Sequence, residues 1–119
     1  MMKKFLLTLA MALGISAGAW ALTPASFPGG KTAEDNYFKT NMKYPQTAKD
    51  NGIEGVVCVV FTVRPDGSIG NIKIKRMVDP DLESEAIRLV KQMPAWTPAS
   101  DNGEAVESTA EVNVCFSLD

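Results

Sequence analysis

Histidine is absent from the 119 residues. With it go imidazole acid–base catalysis, Ser-His and Cys-His nucleophiles, and most zinc sites. Cysteine occurs only at Cys58 and Cys115, too far apart for a Cys-x-x-Cys redox centre or a four-cysteine metal cage. Basic residues do not dominate: 12 stand against 14 acidic ones, a net charge of −2. The densest basic stretch, Lys73, Lys75 and Arg76, reads as the solvated face of a strand, so nucleic acid is not an expected partner. No P-loop is present, and Gly67-Ser68-Ile69-Gly70 lacks the strand-to-helix setting of a phosphate cradle. The carboxylate pairs Asp79/Asp81 and Glu83/Glu85 fit the positive end of a helix better than an acid–base dyad. The expected protein is not an enzyme and needs no cofactor, metal or small-molecule substrate.

At the N-terminus, Lys3 and Lys4 precede an apolar run from Phe5 to Ile15, then small residues, then Ala19-Trp20-Ala21. This is the pattern of a secretory signal peptide, with cleavage expected before Leu22. Residues 1–21 are assigned to it and a periplasmic location follows. An uncleaved inner-membrane anchor is the alternative, although the apolar stretch is at the short limit for a span and its second half is rich in Ala and Gly.

Residues 22–41 read as a lead-in. Two prolines and Gly29-Gly30 argue for extended chain, and Ala33, Tyr37, Phe38 and Met42 then predict a helix from Lys31, capped by Thr32. A second short helix is expected from Pro45 to Asn51, stopped by Gly52. Gly55 to Val63 is an almost unbroken β-branched and aromatic run, a strand expected to be buried on both faces. Pro65-Asp66-Gly67 supplies tight-turn chemistry, and Ile69 to Met77 alternates Ile72 and Ile74 with Lys73 and Lys75, a strand with one wet face. Asp79-Pro80 opens a helix with its apolar stripe on Leu82, Ala86, Leu89, Val90 and Met93, which Pro94 ends. A last strand is expected from about Ala105 to Leu118.

The order strand, strand, helix, strand predicts an α+β fold: a small antiparallel three-stranded sheet (β-β-α-β, order 2-1-3) with one helix on one face, preceded by short N-terminal helices. The last strand is then an edge with unpaired backbone groups. Antiparallel pairing of the first and last strands is expected to set Cys58 and Cys115 side by side on the face away from the helix. In an oxidising compartment they could form a disulfide worth roughly 4 kcal/mol in the chain-entropy model; the alternatives are two buried free thiols or a redox pair.

Tyr44-Pro45, Gly52-Ile53-Glu54-Gly55-Val56-Val57, Pro65-Asp66-Gly67, Asp79-Pro80-Asp81-Leu82, Met93-Pro94-Ala95-Trp96-Thr97-Pro98 and the closing strand from Val112 to Leu118 together resemble the TonB C-terminal domain family. The resemblance spans residues 42–119, and Phe27-Pro28-Gly29-Gly30 is similar to the lead-in of some members. It implies a module that binds the N-terminal box peptide of outer-membrane TonB-dependent receptors by strand addition, in support of energy-dependent transport. The partner-binding residues it implies are Tyr44, Pro45, Val106, Ser108, Ala110, Val112, Asn113, Val114, Cys115 and Phe116. The sequence departs from a full transducer in carrying no long Pro/Lys/Glu-rich spacer between the apolar run and the domain, which argues against force transmission by this chain alone. The other reading is a structural or regulatory envelope protein, TolA-like or a decoy, whose edge strand pairs with itself in a dimer or with another partner.

Overall fold

The structure, a computed structural model, describes residues 22–118; the expected signal peptide and its cleavage position lie outside the described residues. The chain orders as β1 (Leu22–Thr23), α1 (Gly30–Asn41), α2 (Gln46–Asp50), β2 (Gly55–Val63), β3 (Ile69–Arg76), α3 (Pro80–Lys91), β4 (Ala99–Asp101), β5 (Glu104–Val106) and β6 (Ser108–Phe116). The main sheet runs β3-β2-β6, all antiparallel. This is the expected α+β arrangement, with the most apolar strand in the centre.

One face of the sheet and the inner stripe of α3 form the core. Val57, Val59, Phe61 and Val63 of β2 and Val112, Val114 and Phe116 of β6 meet Leu82, Ala86, Leu89 and Val90 of α3, all essentially buried. Alternation along each strand puts these residues on the same side. The helix starts where Asp79 Oδ2 accepts from the N–H groups of Asp81 (3.0 Å) and Leu82 (3.2 Å), with Pro80 needing no donor partner. Helix α1 is fastened to α3 by Tyr37 Oη, which donates to the Leu89 carbonyl at 2.6 Å, and by Arg88 Nη2, which donates to the Asn41 carbonyl at 3.0 Å. The expected Thr32 cap is replaced by Gly29, whose left-handed φ of 92° turns the chain into α1 with no side-chain cap bond. Phe27 N-terminal to it is buried against Tyr37 and Trp96, and that aromatic cluster fixes the approach.

The β2–β3 hairpin closes through Gly67, whose N–H donates to the Arg64 carbonyl at 2.8 Å, while Asp66 Oδ1 accepts from the Ser68 N–H at 2.9 Å. Trp96 N–H then donates to the Gly67 carbonyl at 2.9 Å, tying the turn to the segment after α3. The pairing of β3 shifts register twice, and Asn71 takes a positive φ of 49° beside one shift. Such bulges twist an edge and make it a poor template for another strand.

Three expectations are corrected. The last strand breaks at Glu107: residues 104–106 turn back on 99–101 through Asn102 (φ 53°) and Gly103 (φ 82°), a pair of left-handed residues that makes a tight hairpin. Leu22–Thr23 joins this hairpin as the outer strand of a second small sheet, β1-β4-β5. Second, β2 is not buried on both faces: Val56, Val60 and Thr62 are only partly covered, because a single helical layer packs on one side. Third, Cys58 pairs with Asn113 and Cys115 with Val56. The cysteines share a face but stand two positions out of register, as diagonal neighbours about 7–8 Å apart, beyond the Cα separation of a relaxed disulfide. Both thiols are free, Cys58 buried and Cys115 exposed.

Candidate functional site

Strand β6 pairs with β2 without interruption from Phe116 opposite Gly55 to Ser108 opposite Val63. Among the described residues its other side has no strand partner. In an antiparallel ladder alternate residues direct their N–H and C=O groups away from the paired neighbour, so this edge presents a regular row of free donors and acceptors. Its register is unbroken, whereas that of β3 shifts twice.

A groove of about 650 Å³ runs along the first half of this edge. One wall is the chain from Val106 to Glu111, the other is the lead-in from Leu22 to Phe27, and Trp96 and Ala99 line it between them. The lead-in holds its position because Ser26 exchanges two backbone hydrogen bonds with Thr97, at 3.0 and 2.8 Å, and β1 pairs with β4. Trp96 sits between Phe61 and Phe27 as an edge-on aromatic stack, with its indole N–H on Met93 Sδ at 3.3 Å. The inward side chains of β6 are small in this stretch, Ser108 and Ala110, and become large only beyond it, at Val112, Val114 and Phe116. Ser108 Oγ is buried without a hydrogen-bond partner.

The outward side chains of β6 are polar. Glu111 receives Lys75 Nζ at 3.1 Å across β2, and its other oxygen lies 3.5 Å from Cys58 Sγ. Burial, reinforced by the Glu111 carboxylate, pushes the Cys58 thiol up from its ordinary value, which keeps it protonated and a poor nucleophile. Lys75 in turn holds Glu111 below the usual carboxylate range.

Several residues expected from sequence come together here and several do not. Ser108 and Ala110 line the groove, as does Val106, although it belongs to β5. Val112, Val114 and Phe116 point into the core, so they can offer a partner only main chain. Asn113 and Cys115 lie on the opposite, exposed face. Tyr44 is at the far end of β6, its ring edge-on to Phe116 at 5.7 Å and its hydroxyl donating to the Ile53 carbonyl. Pro45 lines a separate depression of about 590 Å³ beside α3, with Lys43, Arg88 and Lys91. The groove is also lined by residues 22–27, Glu107 and Glu111, which the sequence pattern does not single out. The Asn102-Gly103 pair was the available signal, since a hairpin there returns the chain beside the lead-in.

Fold and edge define a small α+β module with one open, regular sheet edge flanked by a groove. The chain belongs to the TonB C-terminal family: the model described as Gram-negative bacterial TonB protein C-terminal matches residues 40–118. It is 27% identical over 99 residues to the TonB protein of Pseudomonas aeruginosa, covering 81% of this chain and 29% of that protein. To the TonB protein of Helicobacter pylori it is 37% identical over 60 residues, covering 50% of this chain and 21% of the relative. The chain thus spans less than a third of the length of the curated relatives it matches. Two solution structures of the Helicobacter pylori TonB C-terminal domain share the fold. One has a TM-score of 0.57 at 24% identity, covering 74% of this chain and 92% of that one; the other has 0.55 at 23%, covering 71% and 77%.

Proposed function

We propose that this chain is the receptor-engaging module of a TonB-type system, capturing the N-terminal box segment of outer-membrane TonB-dependent receptors as a strand added to β6 and so supporting energy-dependent transport. The observation that carries the reading is the edge itself: nine consecutive residues of β6 pair in unbroken register with β2, and the first four of them line a groove. Main-chain pairing supplies affinity that tolerates variation in the peptide, while the pockets between strand and lead-in select alternate side chains. Family membership supports the same use. The work is done by binding alone, with no cofactor. The pattern of residues 1–21 supports a site of action in the periplasm.

Titration of residues 22–119 with receptor box peptides, followed by heteronuclear NMR, tests this. Shifts concentrated at residues 106–116 and saturable with peptide are expected. Unshifted amides at millimolar peptide, together with concentration-dependent dimers that peptide does not dissociate, would instead establish self-association through the same edge.

A further inference from the structure

Two polar groups that line the groove between the lead-in and β6 are short of partners. Glu34 of α1 is nearly buried, with 12% of its side chain exposed. Among the described residues its one partner is Lys31, which donates to Oε2 at 3.1 Å, and Oε1 accepts no hydrogen bond. Lys31 is itself 71% exposed and shared with Asp35 at 3.0 Å, a weak counter-ion for a carboxylate taken out of water. Glu85, also buried, differs in receiving bonds from both Arg88 and the Lys43 amide. The second group is Ser108 Oγ of β6, buried with no hydrogen-bond partner. Buried polar groups are ordinarily paired, charged ones above all, so two such groups lining one cavity point to a missing ligand. Phe27, Trp96, Ala99, Val106 and Ala110 give the same groove an apolar lining, and its volume of about 650 Å³ suits a small molecule.

We infer that the groove is a binding site for a small organic ammonium ion: a primary amine on a compact apolar body that also carries a hydroxyl. Glu34 takes the ammonium through a charge-assisted hydrogen bond at its free oxygen. Ser108, able to donate or accept, pairs the hydroxyl. Phe27 and Trp96 pack against the apolar body. An anion is disfavoured, since it would meet Glu34 while the nearby Lys31 is already engaged by two carboxylates. The lead-in, held by the Ser26–Thr97 bonds and the β1–β4 pairing, walls the groove opposite β6 and so bounds the ligand's size. The inference does not depend on strand addition. Glu34 belongs to α1 and Ser108 Oγ is a buried side-chain atom, whereas an added strand bonds main-chain groups of β6.

The test titrates the protein with phenylethanolamine, phenethylamine and the anion hydrocinnamate, with dissociation constants read by heteronuclear NMR from the Trp96 indole and the amides of residues 106–110. Phenylethanolamine is expected to bind best and hydrocinnamate about ten-fold more weakly, as loss of a hydrogen bond to a charged group implies. Glu34→Gln should abolish that preference. Lys31→Gln, at an exposed position, should tighten amine binding by freeing Glu34 of its competing partner; a merely structural Glu34 would give neither result. Ser108→Ala should cancel the advantage of phenylethanolamine over phenethylamine. Because it deletes an unpaired hydroxyl, it should leave the thermal midpoint of the free protein unchanged or raised, so this variant stays informative even if Glu34→Gln fails to fold. Equal or tighter binding of hydrocinnamate, amine affinity unchanged in folded Glu34→Gln, or no shift at the groove at tens of millimolar amine overturns the inference.

Discussion

Glu85 is a carboxylate on the buried side of a helix, with only 7% of its side chain exposed. It is tolerated because its lone pairs are occupied: Arg88 donates from Nε and Nη2, each at 2.7 Å, and the Lys43 backbone N–H donates at 2.7 Å. Burial alone would raise its pKa, but the Arg88 pair and the Lys43 amide outweigh that and hold it below its ordinary value of 4.5. Since the folded-state pKa is the lower one, the stabilisation is present above about 4.5 and is lost as pH falls through the folded value. Urea unfolding midpoints measured down the acid range should fall in wild type and fall less steeply in Glu85→Gln. At neutral pH, Glu85→Ala should cost about 1.5–3 kcal/mol, the worth of hydrogen bonds to a charged group.

Gly67 is constrained twice over. Its φ is 87°, and a Cβ there would stand 2.3 Å from the Trp96 carbonyl oxygen, a backbone atom that cannot swing aside. Gly67→Ala should destabilise by about 1–3 kcal/mol and should also disturb the Trp96 amide that bonds to residue 67, visible as lost exchange protection at Trp96.

At the scale of elements, β2 was readable to the residue because Gly55 through Val63 is a dense β-branched run bounded by glycine and an Arg-Pro-Asp-Gly turn. Helix α3 was equally plain, since Asp79-Pro80 announces its start and Leu82, Ala86, Leu89 and Val90 fall on one stripe. The second sheet was not legible. Strands of two and three residues show no measurable alternation, and Ala99-Ser100-Asp101 and Glu104-Ala105-Val106 lack the β-branched density that marks a strand. Asn102-Gly103 pointed to a turn, but only tertiary contact with Leu22–Thr23 makes it a sheet. The cysteine register was likewise beyond pattern reading, because a strand of known face can still pair two residues up or down without turning its side chains over. Gly103→Val should cost about 1–3 kcal/mol through its left-handed φ of 82°. Amide exchange should then accelerate across residues 99–106 while 108–116 keep their protection, since β6 is held by β2.

For the molecule as a whole, one helical layer on one face of a three-stranded sheet leaves two edges, and the structure treats them differently. Strand β3 is bulged and carries Lys73, Lys75 and Arg76; β6 is regular and lies beside a groove walled by the lead-in. Much of the candidate site was visible in sequence only as a strand. Which side chains remained available depended on the core claiming Val112, Val114 and Phe116 and on the lead-in folding back, both long-range facts.

The central claim is that a peptide joins β6 by backbone pairing. Hydrogen–deuterium exchange of individual amides in residues 108–116, with and without saturating box peptide, addresses it most directly. Strand addition predicts new protection at every second amide, those pointing away from β2, with the intervening amides already protected in the free domain. Binding that leaves the outward amides exchanging as before, or protects them without alternation, would contradict it.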